Sequence, residues 1–159
     1  MTIGFPPPRQ GVNQTRSGLH IVYYTPRLVR TISPECSRHP SCTQRTMKEM
    51  TGLERCMAMP QKDAGAHATS IGDSYGGPNL ISPDMYRQFV WEHEVTLAQQ
   101  VQEYGIPWSL HICGDTTHIA ADMGRTGARI LEIDWMVDMG AVRRAVPAET
   151  VLMVAATRE

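Results

Sequence analysis

From residue 64 onward, short apolar stretches recur at an interval that few folds tolerate. Residues 107–113, 129–134 and 150–155 follow one another about every 21 residues, and a fourth stretch, 66–72, precedes them. Each short interval holds one helical pattern. Residues 116–125 carry Ile119 and Met123 on one side and stop at Gly127, and residues 136–146 stop at Pro147. A helix between successive strands leaves those strands parallel, so the spacing predicts βα units on a parallel sheet.

The longer interval between the first two strands reads the same way. Ser82-Pro83-Asp84 combines a serine N-cap, a proline at the first helical position and an acid in the first turn. Phe89, His93, Leu97, Val101 and Tyr104 then share one helical face, and Gly105 closes the helix. The expectation is an α/β fold, a partial (β/α)8 TIM-type barrel of about four βα units. A closed barrel takes eight strands in roughly 250 residues, and residues 1–60 do not offer four more units. Half a barrel and a different small α/β domain both satisfy this count.

Residues 1–60 differ in kind from residues 61–159. The first part holds eight Lys/Arg against three Asp/Glu, whereas the second holds seven against thirteen, and seven of the eleven prolines fall in the first. Pro6-Pro7-Pro8 is extended, residues 19–24 have the composition of a short strand, and Tyr23-Tyr24 with the arginines reads as a solvated segment. The domain expectation is therefore 1–60 as an irregular or disordered lead and 61–159 as the barrel part. A net charge of −1 argues against a general nucleic-acid or membrane-surface binder. No apolar run approaches the ~20 residues of a membrane helix, and the amino terminus lacks a signal peptide's apolar core. Four irregularly spaced cysteines do not suggest a disulfide framework, so a cytoplasmic setting with reduced thiols is expected.

Polar residues gather where strands end. His111-Ile112-Cys113-Gly114-Asp115 places an imidazole and a thiol two positions apart, and in a strand such residues point the same way. Zinc takes nitrogen and thiolate ligands, and a catalytic site uses three and leaves a fourth position open. Asp73-Ser74 fits two readings, a cap for the loop before the helix and a strand-end site pair. Asp134 follows an apolar strand, where it serves either as a site residue or as a cap for the next helix. Asp115 and Asp134 are candidates to orient the imidazole. The spacing of Cys36, His39 and Cys42 fits no common zinc pattern, and Met123, Met136, Met139 and Met153 read as core filler.

Gly72-Asp73-Ser74-Tyr75-Gly76-Gly77 with Leu80-Ile81-Ser82-Pro83, then His111-Ile112-Cys113-Gly114-Asp115, then Ile133-Asp134-Trp135, resembles the uroporphyrinogen decarboxylase superfamily in order and spacing. That superfamily includes zinc-dependent, cobamide-linked methyltransferases, and His-x-Cys-Gly marks the latter branch. The resemblance implies that His111 and Cys113 are two of three zinc ligands. The third ligand in that branch is a cysteine near the end of the barrel, for which this chain has no counterpart, and His118 and Asp73 are the substitutes considered. Asp73, Ser74 and Asp134 would be catalytic residues, with Trp135 completing the Asp-Trp strand end. The implied activity moves a methyl group from a corrinoid, carried by a partner protein, to a zinc-bound thiol. The alternatives are decarboxylation of a porphyrinogen in heme biosynthesis and an inactive barrel fragment. The chain departs from the family at Val154-Ala155-Ala156-Thr157, where a Gly-Asn strand end is usual, and near Glu92-His93, where a proline is usual.

Overall fold

A computed structural model describes residues 11–14, 20–24, 60–73 and 76–155, together with Lys48 and Ala58. One six-stranded sheet runs in the order β1 (Gly11–Gln14), β2 (His20–Tyr24), β3 (Ala68–Gly72), β4 (Trp108–His111), β5 (Ile130–Asp134) and β6 (Val151–Ala155). β1 is antiparallel to β2, and every pair from β2 to β6 is parallel. Neighbours in space are neighbours in sequence. That is the winding of a TIM-type barrel, not of a doubly wound sheet, whose order reverses. The chain is part of a (β/α)8 barrel, and β3 to β6 are the four strands expected.

The sequence interval has a direct structural counterpart. Ser109 pairs with Ile130, and Ile130 with Val151, so the 21-residue recurrence is the register of the ladder itself. β2 covers the possible strand at 19–24, where Tyr23 and Tyr24 pair with Ser70 and Ile71. The Cys36/His39/Cys42 cluster and the proline run at 6–8 lie outside the described residues.

Strand alternation divides the sheet into two faces. Trp108, Leu110, Ile112, Leu131 and Ile133 are fully buried and pack with Tyr86, Leu97, Val101, Met123 and Val142 of the helical layer. Burying each such side chain contributes about 1.5–3 kcal/mol relative to exposure. The opposite face is smaller and more polar: Ala68, Ile130 and Met153 form a minor cluster, and Ser70, Ser109 and Glu132 are buried beside it.

The helices follow local chemistry, with three departures from expectation. α1 (Pro83–Phe89) starts as foreseen, with the Ser82 hydroxyl accepting from the Met85 amide at 3.2 Å. The single helix expected through Tyr104 is instead two, because Val90, at φ −112°, separates α1 from α2 (Trp91–Glu103). The Tyr86 hydroxyl donates to Glu94 across that break, and the Trp91 indole donates to the Asp122 carbonyl at 2.8 Å. A short 3₁₀ turn (Thr116–His118) leads into α3 (Ala120–Arg125), with Ile119 and Met123 buried as expected. α4 (Met139–Ala145) begins three residues later than expected, since Asp138 caps it through the Gly140 and Ala141 amides at 2.8 and 3.2 Å. Met136 thus falls in the preceding loop and is 49% exposed, not core filler. Among the described residues no helix is long and apolar enough to cross a membrane.

Candidate metal centre

His111 is the last residue of β4, and Cys113 continues its alternation past the strand end. The His111 Nε2 and Cys113 Sγ atoms lie 3.2 Å apart, side by side as their spacing requires. The other ring nitrogen, Nδ1, is 3.0 Å from the Glu132 main-chain carbonyl. A carbonyl oxygen only accepts, so Nδ1 carries the hydrogen, and in the neutral imidazole the Nε2 lone pair then faces the sulfur. The orienting contact expected from Asp115 or Asp134 is therefore made by the Glu132 main chain.

Asp134 ends β5, and its Oδ2 accepts from the Gly114 amide at 2.6 Å. This hydrogen bond turns the carboxylate toward the β4 terminus. One ligand atom each from His111, Cys113 and Asp134 then lies within 4.8 Å of the others. Gly114 makes the turn feasible: its φ is +94°, and a Cβ there would stand 2.8 Å from the Asn79 side-chain nitrogen.

The remaining candidates are placed differently. Asp73 touches the site through its backbone, whose N–H donates to the His111 carbonyl at 2.8 Å. Its carboxylate accepts from the Gly76 amide at 3.1 Å, which is the capping reading. Ser74 lies outside the described residues. Asp115 caps the 3₁₀ turn through the Thr117 amide at 3.1 Å and its hydroxyl, and those bonds hold its carboxyl below the usual range. His118 is exposed in that turn. Among the described residues, the third potential ligand that joins the pair is Asp134, not His118 or Asp73.

One residue escaped the sequence reading. Glu132 is only 6% exposed, and its Oε1 accepts from the Ser70 hydroxyl at 2.7 Å and the Ser109 hydroxyl at 2.6 Å. The available signal was an acid inside the apolar run Ile130-Leu131-Glu132-Ile133. A carboxylate in a strand buried on both faces needs partners.

The donor set suits zinc, which accepts imidazole nitrogen, thiolate sulfur and carboxylate oxygen in a tetrahedral arrangement. Usual bond lengths put nitrogen and sulfur ligands about 3.6 Å apart around zinc, close to the 3.2 Å separation here. Three ligands leave a fourth position for a reactant.

Fold and site together define part of a parallel barrel with a three-residue, metal-capable cluster at the carboxyl ends of adjacent strands. Residues 27–153 match the profile of the uroporphyrinogen decarboxylase (URO-D) family, and the chain belongs to that family. A uroporphyrinogen decarboxylase from Nocardia farcinica is 31% identical over 101 residues, 63% of this chain and 28% of the relative. The methylcobamide:CoM methyltransferase MtbA of Methanosarcina mazei is 31% identical over 75 residues, 47% of this chain and 22% of the relative. The chain thus spans about a quarter of the length of these curated relatives. Among solved structures, a methyltransferase from Methanosarcina mazei superposes with a TM-score of 0.71 at 23% identity, covering 79% of this chain and 36% of the other, a likeness of fold.

Proposed function

We propose that this chain carries the zinc-binding part of a corrinoid-dependent methyltransferase that moves a methyl group to a small-molecule thiol. The observation that carries this reading is the convergence of His111, Cys113 and Asp134 at the ends of β4 and β5. Zinc bound there would supply the Lewis acidity that lowers a substrate thiol's pKa at neutral pH.

The chain's own residues have separable tasks. His111 offers Nε2 because its Nδ1 hydrogen is committed to the Glu132 carbonyl. Cys113 contributes its sulfur as thiolate. Asp134, held by the Gly114 amide, contributes an oxygen. Trp135, 65% exposed next to Asp134, offers a flat apolar face to the macrocycle of a methyl-corrinoid delivered by a partner protein. Asp73 and Ser74 would be the pair that meets the substrate, as the family resemblance implies. β1 and β2 extend the sheet beside β3, and the setting is cytoplasmic, where thiols stay reduced.

A second reading, decarboxylation of a porphyrinogen, is favoured by relatives that bear that name. A third, an inactive barrel fragment, is favoured by Val151 and Val154 of β6, which are 54% and 52% exposed. Equilibrium dialysis of the full chain against zinc separates the first reading from both. About one zinc per wild-type chain is expected, and none in Cys113→Ser. A folded wild type that stays free of zinc overturns the reading, and porphyrinogen turnover by such a chain would install the second.

A further inference from the structure

We infer that Glu132 is the positioning residue of His111, acting through a clamp built from Ser70, Glu132 and Ser109. Ser70 and Ser109 are register partners on β3 and β4, and Glu132 lies on the next strand, opposite His111. Both hydroxyls donate to the same carboxylate oxygen, at 2.7 and 2.6 Å, within a buried cluster. One side chain thereby ties three neighbouring strands together on the barrel's inner face.

The main chain of that same residue holds the imidazole. The Glu132 carbonyl lies 3.0 Å from His111 Nδ1, so whatever fixes β5 against β4 also fixes the acceptor that selects the ring tautomer. An apolar residue at 132 would match Ile130 and leave both serine hydroxyls without this acceptor. The acid thus sets where the strand sits, and its carbonyl sets which nitrogen faces Cys113. It acts through His111 and touches no reactant. The consequence for metal affinity rests on the zinc reading above; the tautomer does not.

The test uses the full chain, free of metal and labelled with ¹⁵N-histidine, at a pH well above imidazole titration. In wild type the His111 signals, assigned by their loss in His111→Asn, should show hydrogen on Nδ1 and none on Nε2. Glu132→Gln keeps an acceptor oxygen and should preserve that pattern. Glu132→Val should shift His111 toward the Nε2–H form that predominates in free histidine, and weaken Co²⁺ binding by about ten- to a hundredfold. Should Glu132→Val fail to fold, the Ser70→Ala/Ser109→Ala double variant carries the same expectation. A folded Glu132→Val or double variant with unchanged tautomer and unchanged Co²⁺ affinity overturns the inference, as does a Glu132→Gln variant that loses both as fully as Glu132→Val. A wild type with the Nδ1–H tautomer and no Co²⁺ binding upholds the clamp while rejecting the metal reading.

Discussion

Gly114 turns the backbone with φ at +94°, and its amide holds the Asp134 carboxylate. A side chain there meets strain and the Asn79 amide together. Gly114→Ala is expected to cost about 1–3 kcal/mol, read as a lower urea midpoint, and an unchanged midpoint would contradict the geometry. Asp134 divides into two functions that substitution separates. Asp134→Asn keeps an oxygen for the Gly114 amide but loses the charge, so it should leave the fold intact and weaken zinc binding at least tenfold. Zinc binding equal to wild type would remove Asp134 from the ligand set. The imidazole and thiol were legible beforehand, because alternation along a strand forces residues two apart onto one face. The partners were not: Asp134 arrives from another strand, and Glu132 acts on His111 through its main chain, which side-chain identity does not report.

At the scale of elements, caps and breaks decide boundaries. Ser82→Ala removes the α1 cap and should cost about 1 kcal/mol by denaturant unfolding; no loss would mean the cap is redundant. The break at Val90 is spanned by the Tyr86–Glu94 hydrogen bond. Burial first, and then the Glu94 charge, pushes the Tyr86 phenol far above its ordinary value of 10.0. A group whose pKa is raised by folding contributes fully below its unfolded value and progressively less above it. Stability should therefore fall by up to about 1.4 kcal/mol per pH unit as pH rises beyond 10, where the unfolded tyrosine ionises and the folded one does not. Tyr86→Phe should lack that component, and identical alkaline slopes for the two proteins would contradict it. Serine, proline and acid at 82–84 announced the helix start because a cap is local chemistry. Val90 could not be foreseen, since the periodic face runs unbroken through it, and the break becomes evident only with Trp91 and Tyr86 in contact with Asp122 and Glu94. Asp138 was legible as a cap in principle; the apolar Met136 drew the expected helix too far upstream.

In the molecule as a whole, the order and register of β4, β5 and β6 were readable from one interval, because the last two βα units each advance the ladder by the same length of chain. β6 is less covered on both faces, since Val151 and Val154 point to opposite sides and each is more than half exposed. Such an edge promotes association. Sedimentation velocity should show concentration-dependent self-association that Val154→Lys reduces, and a wild type monomeric at every concentration would contradict it. The carboxyl ends of β4 and β5 carry the central claim, that imidazole, thiol and carboxylate from β4, β5 and the turn after β4 meet around one ion. X-ray absorption at the zinc edge of the loaded full chain tests this most directly. The account predicts one sulfur neighbour at about 2.3 Å with nitrogen and oxygen neighbours at about 2.0–2.2 Å, and loss of the sulfur contribution in Cys113→Ser. A zinc shell without sulfur in the wild type would contradict it.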